Sequence, residues 1–212
     1  MSEFIKAMKF RHACKLFDDK RRISKKEIVA VLEAGRLSPS SFGLEPWHFL
    51  VIESAKVKKA LEEAFFGQPQ VATSSHLVIL LSRKAKFFKQ TSEYLDEAFG
   101  RIEKDIKAVE SGKRELISFL ENDLEADVTS WAKMQAYIAG ANMMTAAAAL
   151  GIDSCPLEGF NAKKLKAALA ENIPEFDKKS YKIALAIAFG YRAGEQTDQI
   201  RWSLEKIVTF VK

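Results

Sequence analysis

Arg11-His12-Ala13-Cys14-Lys15 places three basic or ionisable side chains in five positions. Arg grips a phosphate bidentately and Lys acts as a point charge, so the cluster suits an anion pocket. It equally suits a cationic surface at a helix C-terminus, where the macrodipole favours positive charge. Cys14, flanked by Arg11, His12 and Lys15, has the setting of a thiol with a lowered pKa, set against the plainer reading of a small buried residue. Ser38-Pro39-Ser40-Ser41-Phe42-Gly43 is a hydroxyl-rich loop, suited to a polar ring edge or a polyol chain, or simply to turning the chain. Pro156-Leu157-Glu158-Gly159 forms a compact turn whose backbone N–H groups can approach a ligand.

Other chemistries find little support. His12, His48 and His76 have no Cys or carboxylate at ligand spacing, so no metal site is expected. Ser154 lies in Gly-Ile-Asp-Ser-Cys, which lacks the glycine pair of a nucleophile elbow. Neither a dinucleotide glycine fingerprint nor a Walker A sequence is present. The net charge of +5 permits anionic partners, but basic and acidic residues interleave, as in Glu103-Lys104-Asp105-Ile106-Lys107, so nucleic acid is not an expected partner. No apolar run is long and clean enough to span a bilayer, and no leader-like segment opens the chain, so a cytoplasmic protein with no membrane partner is expected. Cys14 and Cys155 are read as reduced thiols.

These residues must be held by a scaffold, and Trp131 to Phe160 is its centre. Its first part is nearly uncharged and rich in Ala and Met, the mark of a helix buried in a core or a subunit interface. Gly151 is a left-handed stop, Ile152-Asp153-Ser154-Cys155 suits a short strand, and the Pro156 turn follows. Elsewhere, Phe4, Ile5 and Met8 predict a first amphipathic helix. Ser24 and Glu27 form a capping box for a helix ending near Arg36-Leu37. His48–Ile52 reads as a buried strand and His76–Leu81 as the most strand-like segment. A helix through Val57 and Leu61 is broken at Gly67-Gln68-Pro69-Gln70. Phe99, Ile102, Ile106 and Val109 predict one long helix closed by Gly112, with a shorter one through Leu116, Phe119 and Leu120. Asn161 caps a helix through Leu165 and Leu169. Tyr181–Phe189 is a strand with one small-residue face, and Ile207–Val211 a last strand-like segment. The whole predicts one α+β domain over 1–212, a sheet flanked by helices, with a helical excursion over roughly 84–126.

Four segments together, Arg11–Lys15 with Phe17, Ser38–Ser41 with Pro46-Trp47-His48-Phe49, Gly151–Phe160, and Arg201, resemble the nitroreductase family across essentially the whole chain. The resemblance is nearest to the oxygen-insensitive NAD(P)H nitroreductases and flavin reductases that share the Pro-(Leu/Ile)-Glu-Gly turn. It implies a nitroreductase-like α+β fold with a mostly antiparallel central sheet, an intertwined homodimer with two FMN at the interface, and NAD(P)H as electron donor. The tail, with Ile207–Val211, would cross to extend the partner's sheet. By position, Arg11 and Arg201 would hold the FMN phosphate with His12 alongside, and Lys15 would reach the pyrimidine edge. Ser40, Ser41, Gly43 and Gln70 would come from the partner, and Gln135 would lie near the ribityl chain. Pro156, Leu157, Glu158 and Gly159 would line the flavin, with the backbone of Glu158 and Gly159 near N5. No side chain is implied as acid or base. The implied reaction is ping-pong reduction of nitroaromatics, quinones or flavins. The alternatives are reduction of a specific metabolite such as a dihydropteridine, or flavin-based redox sensing without fast turnover. Ala13 and Gln199 stand where many relatives carry a hydroxyl and a lysine for the phosphate, and Gln70 replaces a frequent basic residue; weaker FMN binding or a lower potential would follow.

Overall fold

A computed structural model describes residues 2–212. In chain order, α1 (Glu3–Phe10) and α2 (Lys25–Arg36) lead to β1 (Trp47–Ile52). Next come α3 (Ala55–Leu61), α4 (Pro69–Thr73) and β2 (His76–Arg83). The excursion contributes α5 (Glu93–Ile102) and α6 (Ile106–Ser118), and then the long α7 (Val128–Ala149) returns to the body. The chain ends with β3 (Asp153–Leu157), α8 (Ala162–Asn172), β4 (Tyr181–Gly190) and a short α9 (Leu204–Ile207). The four strands form one antiparallel sheet in the order β1-β2-β4-β3.

Alternation in the two central strands builds the core on both sheet faces. Leu77, Ile79 and Leu81 of β2 join Ala186 and Ala188 of β4 against Leu61, Val71, Leu165 and Leu169 of α3, α4 and α8. Val78 and Leu80 join Leu185, Ile187 and Phe189 against Ile28 and Val31 of α2 and Ala136, Met143 and Ala147 of α7. The helices thus form two layers enclosing the sheet, an α+β architecture. A bulge between Leu80 and Leu81 leaves Ala184 out of the ladder register. It moves Ile183 to the opposite face from Leu185, so the expected alternation of β4 holds only beyond it.

Local sequence signals explain most element ends. Ser24 and Glu27 complete both halves of the capping box, Asn161 accepts from Lys164 N–H, and Gly151 takes φ 70° after α7. Phe66 and Gly67, both left-handed, separate α3 from α4. Four expectations need correction. β1 is an edge strand with only Leu50 and Ile52 buried, because no strand among the described residues pairs with its outer side. The predicted helix from Phe99 to Gly112 is two helices, broken at Glu103–Asp105, where Asp105 caps α6. Gly112 lies inside α6 because the ring of Phe99 leaves no room for a Cβ; one would stand 2.8 Å from it. Ile207–Val211 forms no strand in the single chain: Ile207 ends α9 and the rest is exposed and irregular.

The excursion carries its own apolar cluster. Phe88, Leu95, Ala98 and Leu116 pack there with Leu44, Trp131 and Ala132 of the body. Buried Lys113 pairs with Asp96 and Glu110, tying α6 to α5.

Candidate functional site

The residues expected to act gather in two groups within the chain. The first lies where the segment after α1 runs beside β3. Ala13 bridges Ser154 in parallel, and Cys14 N–H donates to the Ser154 carbonyl at 3.1 Å. Gln70, buried at the start of α4, points its Nε2 at Cys155 Sγ, 3.8 Å away. Its Oε1 has no partner, nor has the buried Ser154 hydroxyl. Within its own chain Gln70 thus sits beside Cys155 of β3, and no hydrogen bond joins it to the Ser40 loop among the described residues. Arg11 and Lys15 make no ion pair among the described residues.

Burial and charge settle the neighbours. Cys14 is buried with Sγ 3.2 Å from the Leu16 carbonyl, and burial pushes its thiol up to about 11. It is a packing residue, not an activated thiol, because desolvation outweighs the nearby cations. His12 is drawn below its ordinary value by burial first and by Arg192 second, with Asp153 opposing. Burial and the neighbouring guanidinium thus disfavour the charged ring, which weakens His12 as a cation for an anion site. Its Nδ1 lies 3.5 Å from Asp153 Oδ1.

Asp153, buried at the start of β3, is held chiefly by Arg192. The Arg192 backbone N–H and Nε donate to Asp153 Oδ2 at 2.9 and 3.1 Å. Nη2 approaches Oδ1 to 2.5 Å as an ionic contact without hydrogen-bond geometry. The Arg192 guanidinium also covers the Phe10 ring at 4.4 Å. No local pattern marks this pair, since the partners are far apart in sequence.

The turn after β3 is clamped from two sides. β3 runs through Pro156 and Leu157, so the turn begins later than expected, at Glu158. Leu157 faces the core, and the ladder tolerates Pro156 because β3 is an edge strand. Gln68 Nε2 donates to the Gly159 carbonyl at 2.7 Å. Tyr137 O–H donates to Glu158 Oε1 at 2.5 Å and lies 3.3 Å from the carbonyl of the bulged Ala184. Burial, then Glu158, pushes the Tyr137 phenol up to about 12, keeping it a donor. Sequence reasoning misses both Tyr137 and Gln68. Tyr137 falls on an apolar helix and Gln68 in a helix break, and neither setting signals a role.

The second group is the Ser40 loop, and it sits on α7. Ser41 N–H donates to Gln135 Oε1 at 2.9 Å, while Gln135 Nε2 donates to the Trp131 carbonyl. Both ends of the Gln135 amide are thus used within the chain, making it a holder of the loop. Ser40 Oγ accepts from Glu45 N–H. Phe42 and Glu45 are non-glycine residues at φ 55° and 50°, beside Gly43 at 63°. The excursion grips this strained loop: Tyr94 O–H donates to the Leu44 carbonyl, Arg101 reaches the Gly43 carbonyl and Glu45, and Phe119 packs on Phe42. Arg201 is exposed and lines a hollow of about 610 Å³ with Lys9, Gln196, Asp198 and Gln199. No group of three or more His, Cys, Asp or Glu among the described residues is arranged to hold a metal.

An antiparallel sheet between two helical layers, with a cationic segment beside a clamped turn, defines the class of fold and site. A profile of the nitroreductase family matches residues 8–191, and the chain belongs to that family. It is 39% identical over 219 residues to YfkO of Bacillus subtilis, provisionally named an NAD(P)H nitroreductase, covering 99% of this chain and 98% of that one. A Staphylococcus haemolyticus protein with the same provisional name is 42% identical, over 98% of this chain and 96% of its own. Among solved structures, a nitroreductase-like protein of Streptococcus mutans superposes with TM-score 0.83 at 17% identity, covering 99% and 98%. An Exiguobacterium sibiricum protein provisionally described as a nitroreductase, solved in complex with FMN, gives 0.79 at 24%, covering 100% and 98%. These two likenesses establish the fold alone.

Proposed function

We propose that the chain is an FMN-dependent NAD(P)H oxidoreductase, a homodimer that reduces nitroaromatics, quinones or flavins. The observation that carries this reading is the unpaired Gln70 Oε1, buried beside Cys155, whose thiol feels the charge of Lys15. A buried acceptor without a donor is costly unless a ligand completes it, and the imide N–H of a flavin is a donor of the right kind. The residues therefore fit the cofactor. Arg11 and Arg201 would hold its phosphate, Lys15 would favour negative charge at the pyrimidine edge, and Gln70 would take the imide. Pro156 and Leu157 would wall one side, and the clamped Glu158–Gly159 backbone would face N5. Ser40, Ser41 and Gly43, held on α7 apart from these residues, would serve the partner's site. When bound, FMN supplies the hydride chemistry.

The chain's own part is to bind, orient and exclude water. Donor and oxidant would use the same face in turn, giving ping-pong kinetics. The test is direct. Purified protein should be yellow or take up FMN on reconstitution, and anaerobic NAD(P)H should bleach it within seconds. A colourless protein that gains no FMN would sink the reading. A yellow protein that bleaches over minutes would sink the enzyme in favour of a sensor.

A further inference from the structure

Two tail glutamines do something that neither the family motif nor the local sequence explains. An α-helix leaves its last carbonyls without intrahelical partners. In α1 they are met by side chains nearly two hundred positions away. Gln196 Nε2 donates to the Phe10 carbonyl at 2.9 Å. Gln199 Nε2 faces the carbonyls of Met8 at 3.0 Å, Lys9 at 3.2 Å and Arg11. Gln196 Oε1 in turn accepts from Arg192 Nη1, and Arg192 is fixed to buried Asp153. Continuous bonding therefore runs from the first residue of β3, through the tail, to the carbonyl end of α1. The tail between Ala193 and Gln199 has no regular structure; its start is fixed by Ala193 N–H donating to the Leu16 carbonyl at 3.1 Å, and beyond that the two glutamines tie it to α1.

The cap ends between two uncommitted cations. Arg11 is the C-cap residue of α1. Arg201 lies two positions past Gln199 and, among the described residues, bonds only to its neighbour's carbonyl, at Ile200. The C-terminus of a helix carries partial negative charge, which repels an anion. Amide donors laid across those carbonyls blunt that charge, although they add no positive charge of their own as a lysine would.

We infer that Gln196 and Gln199 are positioning residues, whose amides cap α1 and thereby fix Arg11 and Arg201 for the phosphate of the flavin. This rests on the flavin reading above. It also changes the meaning of Gln199: the residue is not a lost phosphate ligand but the support of two others.

Comparing FMN with riboflavin, which lacks the phosphate, isolates the effect. Fluorescence titration of apoprotein should show Gln199→Ala weakening FMN about tenfold and leaving riboflavin unchanged. Gln199→Glu, which keeps the size but turns an acceptor on the carbonyls, should cost more. In an Arg201→Ala background, Gln199→Ala should add less than it does alone. Hydrogen exchange of the apoprotein should rise at the amides of Arg11–Cys14 in both Gln199 variants. Equal weakening of FMN and riboflavin, or unchanged exchange and FMN affinity, would overturn the proposal. If the Gln199 variants do not fold, Gln196→Ala faces the same criteria. Wild-type protein that binds neither flavin would overturn the flavin reading and the phosphate role with it; an exchange increase without flavin binding would leave the cap standing as a purely structural device.

Discussion

Lys58 is a cost that the fold carries at a single side chain. It is buried within α3 and donates to the Ser74 carbonyl, which Arg22 Nη1 also reaches at 3.3 Å. No carboxylate pairs with it among the described residues. Burial first, and Arg22 second, pull its pKa from 10.5 to about 8. Between those values the unfolded chain binds more protons than the folded one, so this lysine makes stability rise with pH through that window. At about 1.4 kcal/mol for each tenfold difference in proton affinity, the gain from pH 8 to 10 is on the order of 2 kcal/mol. Denaturant unfolding across that range should show the rise, and Lys58→Met should flatten it. The same variant should be more stable than the parent at pH 7 by about 1 kcal/mol, because Arg22 still serves Ser74 and the buried charge is gone. A pH dependence identical in both proteins would mean that the ammonium is better solvated than its burial implies.

Among the elements, the end of β4 has little room for change. A Cβ on Gly190 would meet the Phe17 ring at 2.7 Å and the Ser75 backbone nitrogen at 3.2 Å, and Phe17 is itself buried. Gly190→Val should therefore cost about 1–3 kcal/mol in thermal or denaturant unfolding, as overpacking does; a neutral result would show that Phe17 can swing away. Legibility in the sequence follows the range of each interaction. The capping box at Ser24, the cap at Asn161, the stop at Gly151 and the strands β2 and β4 carry their signals within a few residues, and all are readable. The break at Glu103–Asp105 is hidden because Ile102 and Ile106 keep helical spacing across it. The site divides in the same way. The Arg11–Lys15 cluster, the Ser40 loop and the Glu158 turn are legible as motifs. Tyr137, Gln68, Arg192 and the capping glutamines are not, because each acts on a distant partner that no local pattern names.

On the scale of the whole molecule, α7 has two apolar faces and the single chain covers one of them. Ala136, Ala139, Met143 and Ala147 are buried on the body, while Met134, Tyr137 and Ile138 are 48%, 38% and 40% exposed. Phe4, Ile5 and Met8 of α1 also face outward, as do Trp202, Phe210 and Val211 of the tail. So much exposed apolar surface on separate elements fits the proposed homodimer, in which Ile207–Val211 would find the ladder it lacks in one chain. Ile138→Glu should shift the protein towards monomer in sedimentation velocity and reduce FMN retention together. A monomer with full FMN retention would place the cofactor within one chain and discard the shared-site arrangement.

The excursion has a separate consequence. Its cluster rests on the body through few residues, Leu44, Trp131 and Ala132 among them, while its outer contacts hold the strained Ser40–Glu45 loop. A segment with its own core is a module that selection can rebuild without disturbing the sheet. α5 bonds that loop directly through Tyr94 and Arg101, whereas the clamped turn after β3 is held by Gln68 and Tyr137, outside the excursion. Under the proposed function, a change in the excursion would therefore reach the partner's flavin through the Ser40 loop while leaving the clamped turn of its own chain in place.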